Sequence, residues 1–198
     1  MNKSTSKYDA NFTAGGLLIN EFLVLKSILT SENTLEELKN EIEDNNLIAI
    51  KTKGARQRII TEITRRYNQV PKSFWGFFYE LNLKEQKQAL LYLCLKTYPL
   101  IFDIHFEVTV KKFKTSGRLI EYDIKMRIDE IASIDKSVAD WSDLTLKKLN
   151  IQYRKTLKDA GLLKGNELIK SEIYNPIFWN YFKKNGDNWF LTACFIQN

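Results

Sequence analysis

The chain has 198 residues, of which 44% are apolar and 13% aromatic. That is enough for one sizeable domain or two small ones sharing an interface, and it excludes a disordered protein. Only 8 glycines and 3 prolines argue against a loop-rich sandwich or barrel and favour helix. A formal charge of +6 and a pI of about 9.1 suit a polyanionic partner, the plain alternative being a charge that only keeps the protein soluble.

In chain order, the opening MNKSTSKYDANFT lacks the apolar core of a signal peptide, and the segment from Tyr8 to the start of the first helix reads as a short extended leader. A helix from about Gly15 to Thr30 follows, with Leu17, Leu18, Phe22, Leu25 and Leu29 at helical spacing. SENTLEELKNEIEDNNLIAI is an acidic helix, with Thr34 as N-cap and Glu37 reaching back to its amide. Its charge should turn away from nucleic acid. The sign then reverses. In KTKGARQRIITEITRRYNQ, Lys51, Lys53, Arg56, Arg58, Arg65 and Arg66 are opposed only by Glu62. Ile59, Ile60, Ile63 and Tyr67 form an apolar stripe there, with Arg58 and Arg65 opposite. Pro71 ends this helix and starts another through PKSFWGFFYELN, and LKEQKQALLYLCLKTYP is a long buried helix.

ALLYLCLKTYPLIFDIHF, interrupted by Lys96, Thr97, Pro99 and Asp103, falls short of the roughly 18 apolar residues of a membrane span and reads as core, so no membrane partner is expected. IFDIHFEVTVKKF alternates partly like a strand, yet continues a helical run. After the turn KTSG, RLIEYDIKMRIDEIA is a helix with Leu119, Tyr122, Met126 and Ile131 on one side. In WSDLTLKKLNIQYRKTLKDAGLL, Ser142 or Asp143 supplies the N-cap, Leu146, Leu149, Tyr153, Leu157 and Ala160 the core stripe, and Gly161 the C-cap. A Lys-Gly-Asn turn at 164–166 and the β-like ELIKSEI make a small hairpin. Winged-helix modules finish their recognition helix in this way, although Ala-Gly-Leu-Leu also closes ordinary helices. NPIFWNYFKKNG and DNWFLTACFIQ read as packed helices. The predicted fold is mostly α, compact, with a winged-helix-like element in the C-terminal third. Residues 1–100 form an N-terminal helical subdomain and 101–198 a C-terminal one, together a single compact unit.

Chemistry finds little purchase. The single histidine, His105, lies between Ile104 and Phe106 and reads as a satisfied core residue. Cys94 and Cys194 stand far apart in apolar surroundings and read as reduced core thiols, which points to the cytoplasm. There is no zinc spacing, no GxxxxGK[ST], and no triad with a supporting motif. Asp123 with Asp129–Glu130, or Asp140 with Asp143, could pair on magnesium, but acids on amphipathic helices are usually solvated. No catalytic residue, metal or cofactor is expected.

Binding is better supported. Between 145 and 170, seven basic residues face only Asp159 and Glu167. Lys147, Arg154 and Lys158 fall in one sector with Lys148 and Lys155 beside them, and Lys164 and Lys170 extend the strip into the wing. Arg56, Arg58, Arg65 and Arg66 make a second basic helix. Together these are the candidate DNA-binding residues, placed to neutralise phosphates. Base reading has less support, because the basic sector contains Ile151 and few Asn or Gln are placed for it. The alternatives are a protein–protein adaptor, docking through exposed Trp75, Phe77, Phe78, Trp179, Tyr181 and Trp189 or through the acidic helix, and an RNA-binding protein.

Four blocks carry a resemblance to a known family. They are Tyr8-Asp9-Ala10 with Thr13-Ala14-Gly15-Gly16-Leu17-Leu18 and Glu21; Asp44-Asn45-Asn46-Leu47 with Lys51-Thr52, Arg56, Arg58 and Arg65; Phe74-Trp75, Phe77-Phe78 and Glu85-Gln86 running into Leu90-Leu91-Tyr92-Leu93; and Trp141-Ser142-Asp143-Leu144-Thr145 through Asp159-Ala160-Gly161-Leu162-Leu163. In order and spacing they resemble the BrxA proteins of bacterial BREX phage-defence systems, with least similarity from Trp179 to Asn198. The resemblance implies a mostly helical protein without catalytic activity that binds double-stranded DNA. It also implies partners among the other BREX proteins: a methyltransferase, an ATPase and a phosphatase-like component.

Overall fold

A computed structural model describes residues 7–196, so the first six residues of the opening segment lie outside the described residues, and the leader expected to be extended from Tyr8 instead forms a 3-10 helical turn over Asn11–Ala14. The chain divides into two units, Leu17–Thr97 and a second made of the residues up to Gly16 with Tyr98 onward.

The Leu17–Thr97 unit is entirely helical: α1 (Ile19–Val24), α2 (Lys26–Leu29), α3 (Thr34–Asp44), α4 (Lys53–Tyr67), α5 (Ser73–Glu80) and α6 (Leu83–Thr97). The single helix expected from Gly15 to Thr30 is divided, because Leu18 takes a left-handed φ of +55° and Leu25 separates α1 from α2. Asn33, not Thr34, stands at the N-cap of α3, and the Thr34 hydroxyl instead donates to the carbonyls of Ile28 and Ser31, tying down the α2–α3 turn. A reciprocal capping box does form at α6. The Asn82 amide donates to the Glu85 carboxylate, and the Glu85 amide donates back to Asn82 Oδ1. Gln86 Nε2 then donates to Phe78 O, fixing the end of α5 on the same turn. Trp75 is fully buried and stacks on Phe22 (5.4 Å between centroids) and on Tyr67 (5.6 Å). Every residue from Ala89 to Leu95 of α6 is buried, so this helix is the centre of the unit's core.

In the second unit, α7 (Pro99–Ile104), a π-helical stretch (His105–Val110) and α8 (Lys111–Thr115) run on without a break, resolving the ambiguous 101–113 stretch as helix. Then come α9 (Glu121–Ile134), α10 (Lys136–Ala139), α11 (Asp143–Asp159), β1 (Leu163–Lys164), β2 (Glu167–Leu168), α12 (Pro176–Lys184) and α13 (Trp189–Ala193). The strands pair antiparallel, Leu163 with Leu168 and Lys164 with Glu167. Gly165 supplies the positive φ (+59°) that a tight two-residue hairpin turn demands. Arg118 bridges Glu167 on the other edge, with Leu119 N donating to Asn166 O and Leu168 N to Gly117 O. β2 therefore lies between residues 117–119 and β1.

α9 buries Ile124, Ile128 and Ile131, an i, i+4, i+7 stripe, and leaves Tyr122 and Met126 exposed, a rotated face relative to the one expected. The N-terminal motif is fastened from two sides. Tyr8 donates to Asp103, which also takes a two-toothed ion pair from Arg127, and Phe12 packs edge-on against Tyr98. Among the described residues no single helix is long and apolar enough to cross a membrane.

Candidate nucleic-acid interface

α11 begins at Ser142, whose hydroxyl accepts from Thr145 N, and ends at Gly161, whose φ of +75° stops the helix. Leu149, Tyr153, Thr156 and Leu157 turn inward. Leu144, Lys147, Lys148, Ile151, Lys155 and Lys158 are all exposed. At 3.6 residues per turn these six fall within a sector of roughly 100° directly opposite the buried stripe. Lys155 pairs with Asp159 at 2.5 Å, so one carboxylate trims the row. Lys147, Lys148 and Lys158 have no carboxylate partner among the described residues. Lys164 on β1 and Lys170 beyond β2 are exposed as well.

Arg154 does not belong to this row. It is 9% exposed, and its guanidinium donates to Leu119 O (2.7 Å), Asn166 Oδ1 (2.7 Å) and Gly165 O (3.5 Å). These acceptors belong to residues 117–119 and the hairpin turn, so Arg154 clamps both to α11. A helical wheel cannot foresee this, since the acceptors come from segments that read as plain turns. Arg118, exposed on the strand edge, and Lys114, exposed before it, are further cations that the sequence reading passed over for the same reason.

On α4 the four arginines also divide. Arg66 is fully buried and donates to Leu17 O at 3.2 Å, which removes it from any surface. Arg56 is half-buried, giving Nε to Ile42 O (2.7 Å) and Nη1 to Ile50 O (2.8 Å), so it closes the α3–α4 loop. Glu41 holds the same loop by accepting from Leu47 N and Ile48 N. Arg58 is exposed and Arg65 half-exposed, on the face expected. Lys51 is exposed before the helix, and Lys53 pairs with Glu43 at 2.5 Å.

His105 is fully buried. Its Nε2 lies 2.9 Å from Ala193 O, which can only accept, so a neutral ring must donate there and accept at Nδ1. Tyr153 then donates to Nδ1 (2.9 Å), and Thr109 donates to the Tyr153 oxygen (2.7 Å). Burial pushes the His105 pKa down to about 4. Both ring nitrogens are engaged and no solvent reaches them, so this is core chemistry. Burial likewise raises both cysteine thiols. Among the described residues no group of three His, Cys, Asp or Glu is placed to hold a metal. The aromatic docking surface also fails: Trp75, Phe78 and Trp179 are buried, and Phe77, Tyr181 and Trp189 are partly so.

A model of the BrxA family matches residues 6–186. A protein of Bacillus cereus (strain H3081.97) described as BREX protein BrxA is 25% identical over 177 residues, covering 86% of this chain and 88% of that one. The crystal structure of an uncharacterized protein from Magnetospirillum magneticum superposes with a TM-score of 0.77 at 19% identity, covering 97% of this chain and 99% of that one, a likeness of fold alone.

Proposed function

The chain belongs to the BrxA family, and from that premise we propose that it is a non-enzymatic DNA-binding accessory protein of a BREX-type phage-defence system, gripping the phosphate backbone of duplex DNA through α11 and its hairpin. Its partners on this reading are the system's other components, the methyltransferase, ATPase and phosphatase-like proteins that the family resemblance implies. The observation that carries the proposal is the outward row of α11, where Lys147, Lys148, Lys155 and Lys158 share one sector and, among the described residues, Asp159 is the one carboxylate paired into it. The order of elements supports it: helix 99–115, strand edge 117–119, α9, the one-turn α10, α11, then a hairpin whose β2 pairs with that edge. This is the order of a winged-helix module, in which the second helix of the pair enters the groove. Lys164 at the hairpin then stands where a wing meets the backbone.

Salt titration of duplex binding tests the proposal. Five phosphate contacts from Lys147, Lys148, Lys155, Lys158 and Lys164 give a slope of log K against log salt of about −4 to −5. Changing Lys147, Lys148 and Lys158 to Gln lowers its magnitude by about 3 without lowering the melting temperature. Unchanged affinity and slope in that variant would remove α11 from the interface.

A second reading, an adaptor without DNA contact, has one observation in its favour. Tyr122 (61% exposed) and Met126 stand on α9 between two clefts, of about 380 and 630 Å3. Three of the cations around them are paired internally, Lys111 with Glu107, Lys112 with Asp123 and Lys125 with Asp129. Retained co-purification with the other components, together with no duplex binding at low salt, selects this reading.

A further inference from the structure

α4 and α11 expose their residues at the same spacing but with different chemistry. On α4 the outward row is Gly54, Gln57, Arg58, Thr61, Arg65 and Asn68, within about 100° of one another at 3.6 residues per turn. On α11 it is lysines and aliphatics. A lysine ammonium is a point charge that neutralises a phosphate without telling one base from another. Guanidinium and carboxamide groups are planar and present paired hydrogen-bonding atoms. Arg matches the O6 and N7 of guanine, and Gln or Asn matches the N6 and N7 of adenine.

We propose that α4 is a base-reading helix, presenting Gln57, Arg58 and Asn68 to the edges of base pairs in the major groove of duplex DNA. This rests on the DNA-binding reading above and assigns it a sequence preference that the lysines of α11 cannot supply. It also departs from the sequence-level expectation that base reading has little support, which was drawn from the basic sector of α11.

Four features of α4 support the assignment. Gln57 and Arg58 are adjacent and exposed on an early turn, and neither side chain has a hydrogen-bond or ion-pair partner among the described residues. The one acid of the helix, Glu62, is buried, so nothing on the exposed row repels a phosphate or competes for the guanidinium. Gly54 heads the row with nothing within 4 Å of where a Cβ would stand, which leaves room for the first turn to approach a groove wall closely. Finally, the helix start is rigid: Thr52 caps it by accepting from Ala55 N, and Arg56 locks it to the preceding loop. Preorganised donors discriminate better than mobile ones. The dimensions agree, since a helix 10–12 Å across fits a groove about 12 Å wide. Thr61 adds no reader, because its hydroxyl already donates to Gln57 O at 2.7 Å.

Enrichment from a random duplex library, read by sequencing, tests the proposal on the full chain. The wild type is expected to enrich a motif of a few base pairs, with roughly tenfold discrimination at the position read by Arg58. Arg58→Ala and Gln57→Ala are exposed changes that should keep the melting temperature while losing the preference at one position each. Salt-sensitive duplex binding with no enrichment would overturn this inference and leave the backbone-gripping function standing. A motif unchanged in both variants would overturn it equally. No duplex binding at low salt would take both readings down, and enrichment from a structured RNA pool alone would replace DNA as the ligand.

Discussion

Arg154 sits one step around α11 from the exposed lysines, yet its guanidinium is held by three oxygens from residues 119, 165 and 166. Truncating it leaves Leu119 O and Asn166 Oδ1 unpaired in a buried place, and hydrogen bonds to a charged donor contribute more than neutral ones. Arg154→Ala is therefore expected to cost about 2–4 kcal/mol in urea unfolding, whereas Lys158→Ala should cost less than about 0.5 kcal/mol. A loss of DNA binding in an Arg154 variant would thus report a displaced hairpin, so the lysines are the proper probes. His105 makes a pH prediction of definite sign. Its pKa falls from an ordinary 6.5 in the unfolded chain to about 4 in the core. The unfolded state binds the extra proton first, so stability is complete above pH 6.5 and declines as pH falls toward 4. Between pH 7 and pH 5 the loss should be about 2 kcal/mol. Because this is the chain's single histidine, His105→Phe should flatten the dependence in that window. A wild-type profile already flat from pH 7 to 5 would show that the ring is not buried as a neutral acceptor.

At the scale of elements, what the sequence makes legible is whatever depends on neighbours along the chain. The Ser142 cap, the Gly161 stop, the Gly165 turn and the buried run of α6 all follow from local spacing, and so does the outward set of lysines on α11. What depends on distant segments is not legible. The face of α9 is set by where Ile124, Ile128 and Ile131 find neighbours, not by Tyr122 and Met126, which offer more apolar surface yet remain outside. Arg66 and Arg154 look like surface cations until the carbonyls of Leu17 and Leu119 arrive from other elements. The Gly15-Gly16 pair is another such case. It reads as the start of a helix, but Gly16 has a φ of +56°, and a Cβ there would lie 3.0 Å from Thr156 Oγ1 on α11 and 2.0 Å from Gln152 Nε2. The Gln152 end can swing away; the backbone angle and Thr156 cannot yield so easily. Gly16→Ala is expected to destabilise by about 2 kcal/mol. The comparison is Gly54→Ala, where the space is open and the residue is helical, and which should instead stabilise by up to about 1 kcal/mol. Thermal unfolding of the two variants side by side separates them, and equal melting temperatures would mean that Gly16 is not pressed against α11.

For the molecule as a whole, the +6 charge is not evenly spread. α3 and the turn before it expose Glu32, Glu36, Glu43 and Asp44, of which Glu43 and Glu32 are taken up by Lys53 and Lys72. Among the described residues, exposed cations without a carboxylate partner include Arg58 on α4 and Lys147, Lys148 and Lys158 on α11. Such a surface is affordable only on a core that needs none of those charges, and the core of the Leu17–Thr97 unit meets that condition around α6. Ala89 to Leu95 are all buried, Cys94 among them, and the reciprocal Asn82–Glu85 cap fixes the start of the helix. Its amides can reach solvent only when that core opens, whereas α12 and α13 are short helices that can fray locally. Native-state hydrogen exchange should therefore find the slowest amides of this unit between Leu90 and Leu95, slower than those of α12 by about the difference between global and local opening, several kcal/mol. Charge changes on the α4 and α11 rows should leave that exchange unaltered. If the α6 amides exchange as fast as those of Pro176–Lys184, or if Arg58→Ala speeds them, the separation between the core and a functional surface does not hold.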